Sequence, residues 1–264
     1  MAVHPAGQRH AATRAVITGG GQGVGFAIAE ALVAEGCRAL TLVGRDAGKL
    51  ERAAEGLRAS GAAVTTVAAD VSRAPECERV IAAAIEAMGG VNALVNAAAT
   101  SARGSLDDTS EATFDAIFAT NVKGPFFLMQ AVVRHALQTK APASLLNILS
   151  MAAHGGAANL TPYASSKGAL ATLTRNVANA YRAQRIRCNA ILPGWMDTPG
   201  EDVVQRKWHE APADWLARAE AAQPMGQLVK PDQLALLAAY VLSSDAGVMT
   251  GALIDYDQTV IGGV

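Results

Sequence analysis

The chain has 264 residues, 51% of them hydrophobic and 17% charged, with a formal net charge of −1. That balance suits one α/β domain with a sizeable core, and it excludes a nucleic-acid or anionic-membrane surface as the working face. The longest uninterrupted apolar run, Leu234 to Leu242, has nine residues, against the roughly 18 that a membrane span needs, so no membrane partner is expected. Residues 1–12 are polar, without the apolar core of a signal peptide, and are expected to be a flexible extension ahead of a single domain over 13–264. The three cysteines, Cys37, Cys77 and Cys188, have no metal or disulfide spacing. They fit a reducing, cytoplasmic setting, and no metal is expected.

Apolar runs of β type alternate with alanine-rich helical stretches along the whole chain. The strand candidates are Ala15–Thr18, Ala39–Val43, Ala63–Ala68, Ala93–Asn96, Ser144–Ser150, Arg187–Leu192 and Leu253–Tyr256. Helical patterns fall near Val24–Glu35, Gly48–Ser60, Pro75–Met88, Glu111–Thr139, Ser165–Gln184 and Pro231–Ser243. Short strands separated by helices read as βαβ units, and right-handed crossovers assemble them into a doubly wound parallel sheet covered on both faces. The rhythm breaks over 195–227, where Pro199, Pro212 and Pro224 interrupt the pattern and Trp195, Trp208 and Trp215 collect. An irregular insertion after a strand end reads as a lid or substrate wall.

The stretch Thr18-Gly-Gly-Gly-Gln-Gly-Val-Gly25 joins the first strand to the first helix. A tight turn needs glycine, close approach to phosphate excludes a Cβ, and a helix N-terminus offers free N–H groups. Gly19, Gln22, Gly23, Val24 and Gly25 are therefore candidate binders of a dinucleotide pyrophosphate. A plain strand-to-helix turn is the alternative, and no Gly-Lys-Ser/Thr follows to make a P-loop. At the end of the second strand, Gly44 stands where an acid would hold the ribose of NAD, and Arg45 follows. A guanidinium there suits a 2′-phosphate, so NADP(H) is favoured, with NAD(H) the alternative. Asp46 is a candidate helix cap. Asp70, followed by Val71 after the third strand, is read as an acceptor for the adenine amino group or as a helix cap.

Tyr163 and Lys167 are four residues apart, one helical turn, and so share a face. A phenol titrates near pH 10. A neighbouring ammonium and a positively charged nicotinamide ring would favour its anion, making Tyr163 an acid/base for a carbonyl or alcohol. Ser150, thirteen residues earlier, ends a central strand and could hold the substrate oxygen. Asn121 precedes Gly124-Pro125 inside a long helical run. A kink there would free backbone carbonyls and let Asn121 orient a water.

Taken in order, these pieces resemble the short-chain dehydrogenase/reductase family from Arg14 to Gly263. They are the glycine loop Thr18–Gly25, Asp70-Val71, Asn121-Val-Lys-Gly124, Ser150, Tyr163-Ala-Ser-Ser-Lys167, and Asn189-Ala-Ile-Leu-Pro193-Gly194 with Thr198. The resemblance implies a Rossmann-like fold and a catalytic tetrad of Asn121, Ser150, Tyr163 and Lys167. It implies that Pro193, Gly194 and Thr198 contact the nicotinamide carboxamide, and that the chain forms a homodimer or homotetramer through its two long central helices. Two departures stand out. The family's Asn-Asn-Ala-Gly is Asn96-Ala97-Ala98-Ala99 here, with Asn96 retained as a cofactor contact. Its Val-Asp-Gly-Gly is Tyr256-Asp257-Gln258-Thr259, which makes Gln258 a candidate for substrate polarity or for a turn. The charged and aromatic lid suggests a sugar or polyol as substrate. A 3-oxoacyl thioester or general carbonyl is the rival substrate, and a non-catalytic nucleotide sensor the rival function.

Overall fold

The computed structural model describes residues 7–263, the side chain of Trp208 excepted. Seven strands form one sheet: β1 (Arg14–Thr18), β2 (Ala39–Gly44), β3 (Ala63–Ala68), β4 (Ala93–Asn96), β5 (Ala143–Ile148), β6 (Ile186–Pro193) and β7 (Leu253–Tyr256). Their order is β3-β2-β1-β4-β5-β6-β7, and every pairing is parallel. The chain winds outward one way from β1 to β3, then returns to place β4 on the other side of β1. That reversal leaves a crevice at the carboxyl ends of β1 and β4, the place where open α/β sheets take ligands.

Helices cover both faces because the strands are apolar on both. On one side α1 (Gly23–Ala34), α2 (Ala47–Ala59) and α9 (Pro231–Leu242) bury Ile28, Leu32, Leu50 and Leu234 against Ile17, Leu40 and Leu42. On the other, α3 (Ala74–Met88), α5 (Gly124–Thr139) and α6 (Thr161–Tyr181) bury Val80, Leu128, Val132 and Leu170 against Val16, Leu94 and Leu145. All three cysteines are free and buried.

Four expectations change in detail. The run Glu111–Thr139 is one helical stretch long and apolar enough to cross a membrane by length and composition. It is divided into α4 (Glu111–Phe118), a π turn (Ala119–Lys123) and α5, and its apolar residues Leu128, Met129 and Val132 are spent on the sheet. Strand β5 stops at Ile148, so Ser150 caps a 3-10 turn (Met151–His154) instead of ending the strand. Helix α6 starts at Thr161, earlier than expected, because Pro162 fits the first turn. The lid holds regular structure, α7 (Pro199–Trp208) and α8 (Trp215–Ala221).

The expectation of a frayed N-terminus is corrected for its described part. His10 is fully buried, its Nε2–H donating to the Ala239 carbonyl (2.9 Å) while Nδ1 meets the Thr13 hydroxyl (2.9 Å). Arg9 bridges Glu35 and Asp245, each at 2.9 Å. This segment clips the end of α1 to the end of α9. Residues 1–6 lie outside the described residues.

Candidate active site

A cavity of about 420 Å³ opens at the reversal point. Its floor is the glycine loop. Gly19 has φ +68°, and a Cβ on Gly25 would sit 2.5 Å from the Gly19 carbonyl oxygen. The loop therefore folds back on itself with no room for a side chain. The Thr18 hydroxyl accepts from the N–H groups of Ala97 and Ala98, both at 3.1 Å, and ties the loop after β1 to the loop after β4. Gly19, Gln22, Gly23, Val24 and Gly25 all line the cavity, as do Ala97, Ala98 and Ala99. This backbone cradle at the start of α1 fits a pyrophosphate.

Asn96 departs from expectation. It is only 2% exposed and does not line the cavity; its side-chain amide donates to Asn147 Oδ1 at 2.8 Å, inside the sheet. Strand alternation puts its side chain on one face of the sheet beside its cross-strand neighbour Asn147, and the following alanines form the wall instead.

At the other end, Gly44, Arg45, Asp46, Lys49, Asp70 and Val71 line the cavity. Asp46 caps α2, its Oδ1 accepting from Lys49 N at 3.0 Å. Asp70 does not cap α3, whose cap position is Arg73; it closes a turn on Ser72 N at 3.0 Å. The hydrogen bonds from Ser72, with smaller help from Arg45 and Arg73, hold its carboxyl below the usual range. Lys49 escaped the sequence reading. Its Nζ donates to Gln22 Oε1 at 3.0 Å, so a second cation stands beside Arg45. Its one signal was its place in the first turn of α2, facing the loop.

Tyr163 and Lys167 both line the cavity from the first turns of α6. Lys167 is 3% exposed; its Nζ donates to the Ile148 carbonyl at 2.8 Å and lies 5.6 Å from the centre of the Tyr163 ring. Burial without a counter-ion pulls its pKa down to about 8. Burial raises the pKa of Tyr163. The Ser150 hydroxyl lies close enough to the Tyr163 phenol to favour its anion. Ser150 and the charge of Arg103 oppose the rise, and the charge of Glu201 adds to it. In the protein alone, desolvation outweighs the groups that favour the anion and raises the phenol; the nicotinamide ring on which the expected phenolate also depends is not part of that balance.

Asn121 sits in the π turn, 1% exposed, outside the cavity wall. Its Oδ1 accepts from Thr100 N, its amide donates to Thr100 O, both at 2.9 Å, and it also reaches Ser166 Oγ at 3.0 Å. The side chain is therefore a clamp between the β4 loop and α6. A π turn skips an acceptor in the helical ladder, so the irregularity expected before Gly124-Pro125 takes this form. Ser150, Pro193 and Gly194 also lie off the cavity wall. Gly194 N donates to Tyr256 O at 3.0 Å, and a Cβ there would fall 1.9 Å from Asp257 Oδ1. Thr198 lines the cavity and caps α7 through Glu201 N at 3.1 Å.

The lid is pinned by its own aromatics. Trp195 and Trp215 stack at 6.3 Å; Trp195 Nε1 donates to Glu201 and Trp215 Nε1 to Asp202, both at 2.8 Å. Trp215 is buried, while Trp195 is 42% exposed. The Trp208 side chain lies outside the described residues. Gln258 takes the turn role, not that of a free polar group: its carbonyl accepts from Met225 N (2.7 Å) and its amide donates to Gln227 O (2.6 Å).

The chain is similar to known proteins along nearly its whole length. The sequence model of the family described as Enoyl-(Acyl carrier protein) reductase matches residues 19–259. A 2-(S)-hydroxypropyl-CoM dehydrogenase of Xanthobacter autotrophicus is 33% identical, over 91% of this chain and 93% of that protein. A galactitol 2-dehydrogenase (L-tagatose-forming) of Cereibacter sphaeroides is 34% identical over 92% of each. An actinorhodin polyketide ketoreductase solved with NADPH superposes with a TM-score of 0.86 at 27% identity, covering 92% of this chain and 95% of that one. A short-chain type dehydrogenase/reductase from Mycobacterium marinum superposes at 0.85 and 26% identity, covering 94% and 95%. The chain belongs to the short-chain dehydrogenase/reductase family, whose members bind nicotinamide cofactors, and is an oxidoreductase acting on CH–OH and C=O groups.

Proposed function

We propose that the protein interconverts a secondary alcohol and a ketone with Tyr163 as the acid/base, using NADP(H) in preference to NAD(H), on a small polyhydroxylated substrate. The observation that carries this is that Tyr163 and the buried Lys167 cation, held on the Ile148 carbonyl, face one cavity with the glycine loop, while Ser150 stands behind the phenol. A bound nicotinamide supplies or takes the hydride. Ser150 holds the substrate oxygen beside the phenol. Tyr163, protonated in the protein alone, gives its proton to a carbonyl oxygen in reduction and recovers one from an alcohol in oxidation. Lys167 would hold the nicotinamide ribose and add positive charge below the ring. Thr198, with backbone near Pro193 and Gly194, would orient the carboxamide.

The preference for NADP(H) is supported by Arg45 and Lys49 on the cavity wall, with Gly44 and no acid at the end of β2. The polyol reading is supported by the partly exposed Trp195 face and by the galactitol dehydrogenases among the relatives. A 3-oxoacyl thioester is the second reading, supported by the ketoreductase neighbour. Assembly through α5 and α6 is supported by the exposed Phe126 on α5, which packs edge-on to Phe127.

The test compares polyols, including galactitol, with acetoacetyl thioesters, each with both nucleotides, in the wild type and in Tyr163→Phe. Loss of the proton donor should lower kcat/KM by about 10²- to 10⁴-fold while nucleotide binding persists. Turnover that survives the change removes Tyr163 from the chemistry, and turnover of the thioester alone removes the polyol.

A further inference from the structure

We propose that Arg103 anchors the substrate and that the alcohol or ketone this site takes carries a carboxylate; this rests on Tyr163 being the acid/base.

Arg103 lies on the loop between β4 and α4. That loop is strapped to the start of α6: Gly104 N donates to Asn159 O, and Thr161 N to Gly104 O, both at 3.0 Å. Gly104 pairs with Leu160, and a Cβ on Gly104 would come 3.6 Å from the Pro162 ring, the residue before Tyr163. The backbone at 103 is thus fixed beside the turn that carries the phenol. From there the guanidinium reaches the end of α7, where Nη2 meets His209 Nε2 at 3.4 Å. It spans from the β4 loop to the lid.

The guanidinium is not satisfied there. Its Nε is buried and has no hydrogen-bond partner. Among the described residues no carboxylate lies within ion-pairing distance of it. Glu201 is the acid whose charge also reaches Tyr163, but its Oε1 already accepts from Trp195 Nε1 (2.8 Å) and Gln205 Nε2 (2.7 Å). Buried donors are normally paired, and a cation left without an acceptor is costly. Such an arrangement is stable when the acceptor arrives from outside. Arginine presents a planar fork matched to a carboxylate, which pairs with it in two parallel hydrogen bonds. The strap to Asn159 and Thr161 sets residue 103 beside the turn that carries Tyr163, near enough for its charge to act on the phenol. The fitting ligand is therefore a small hydroxy acid or keto acid, with its carboxylate on Arg103 and its alcohol or carbonyl oxygen on Tyr163 and Ser150.

The test uses matched pairs that differ in charge: galactonate against galactitol, and 3-hydroxybutyrate against 2,3-butanediol, with NADP+ and with NAD+. The wild type should favour the acid in kcat/KM by at least about tenfold. Arg103→Gln should lower the acid-to-neutral ratio by about 10- to 100-fold, mostly through KM of the acid, and Arg103→Lys should recover part of it. A wild type that favours the neutral member of each pair, or a ratio unmoved by Arg103→Gln, overturns the proposal. A second measurement decides it without turnover. Malonate titrated into the enzyme–nucleotide complex by calorimetry should bind the wild type and bind Arg103→Gln at least about tenfold more weakly; no binding to the wild type, or equal binding to both, overturns it. Hydride transfer that fails on every pair while malonate binds through Arg103 faults the reading of Tyr163 and leaves the anion site standing.

Discussion

Lys167 donates its buried ammonium to the carbonyl oxygen of Ile148 at 2.8 Å, and no carboxylate shares that contact among the described residues. A cation placed this way without a counter-ion carries a cost that the fold bears. The pKa, about 8 against an ordinary 10.5, gives the sign. The unfolded chain binds the proton more tightly, so folding is penalised in full below pH 8 and the penalty fades as pH rises toward 10.5. A shift of that size corresponds to about 3 kcal/mol. Lys167→Met removes the charge but leaves the Ile148 carbonyl without its donor, which takes back about 1–2 kcal/mol. The variant should therefore melt higher than the wild type at pH 7, by about 2–6 °C, while losing cofactor affinity and activity. The gain should shrink between pH 8 and 10.5. Melting curves across that range check it, and a variant less stable than wild type at pH 7 refutes the buried-charge argument.

Cofactor choice rests on charge at the end of β2. Arg45 and Lys49 stand on the cavity wall, and the nearby acids are already engaged, Asp46 by its helix and Asp70 by Ser72. Arg45→Asp replaces a cation with an anion that can accept from a ribose and repels a phosphate. The ratio of kcat/KM for NADP(H) over NAD(H) should fall by about 100-fold, since charge-assisted hydrogen bonds are lost and repulsion is gained. Steady-state kinetics with both nucleotides measures it. An unchanged ratio would remove Arg45 from recognition.

The loop after β1 permits a sharper steric test. A methyl on Gly25 would lie 2.5 Å from the carbonyl oxygen of Gly19 and 3.1 Å from that of Thr18, both backbone. Neither can swing aside as a side chain would. The loop must open, and Thr18 would lose its hold on Ala97 and Ala98. Gly25→Ala should raise the nucleotide Kd by about 10- to 100-fold with a clear loss of stability. By contrast, the methyl of Gly194→Ala meets the Asp257 carboxylate, the movable end of a side chain. That variant should fold and bind with much less change. Titration of nucleotide into both variants separates them, and equal affinities would contradict the cradle.

The legible parts of the protein are those where one residue type answers to one local constraint. Parallel strands buried on both faces read as apolar runs, so all seven strands of the sheet were visible in the chain. Glycine at 19, 23 and 25, and the one-turn spacing of Tyr163 and Lys167, announce themselves in the same way. What stayed hidden depends on partners far away in sequence. Nothing local tells that the Asn121 side chain is spent on Thr100, that Asn96 turns into the sheet toward Asn147, or that His10 is locked to Ala239. The π turn at 119–123 was only half visible: Gly124 and Pro125 signalled a kink, not its form. The ionisation of Tyr163 in the protein alone was hidden in the same way. Spacing puts a lysine near a phenol, but only three-dimensional burial decides which of them yields.

Gln258 ties the segment after β7 to the C-terminal end of the lid. Its amide accepts from Met225 N and donates to Gln227 O, so it bridges the last strand's exit and the end of the lid. That junction also carries the pairing of Met196 with Val229 and the Lys230–Asp197 ion pair at 2.7 Å. Removing one hydrogen-bonded bridge should cost about 1–2 kcal/mol, felt locally more than globally. Gln258→Ala should therefore leave the melting temperature within a few degrees of wild type. Amide exchange over 223–229 should become faster, and KM for the alcohol or ketone should rise more than kcat falls, since a looser lid weakens positioning before it harms proton transfer. Gln258→Glu is the finer probe. It keeps the acceptor for Met225 N but sets an anion against the Gln227 carbonyl, so it should loosen the junction more than Gln258→Ala does. Hydrogen-exchange mass spectrometry ranks the three proteins. If exchange over 223–229 is the same in all of them, the junction is held by Lys230 and Val229 alone, and Gln258 has no part in closing the lid.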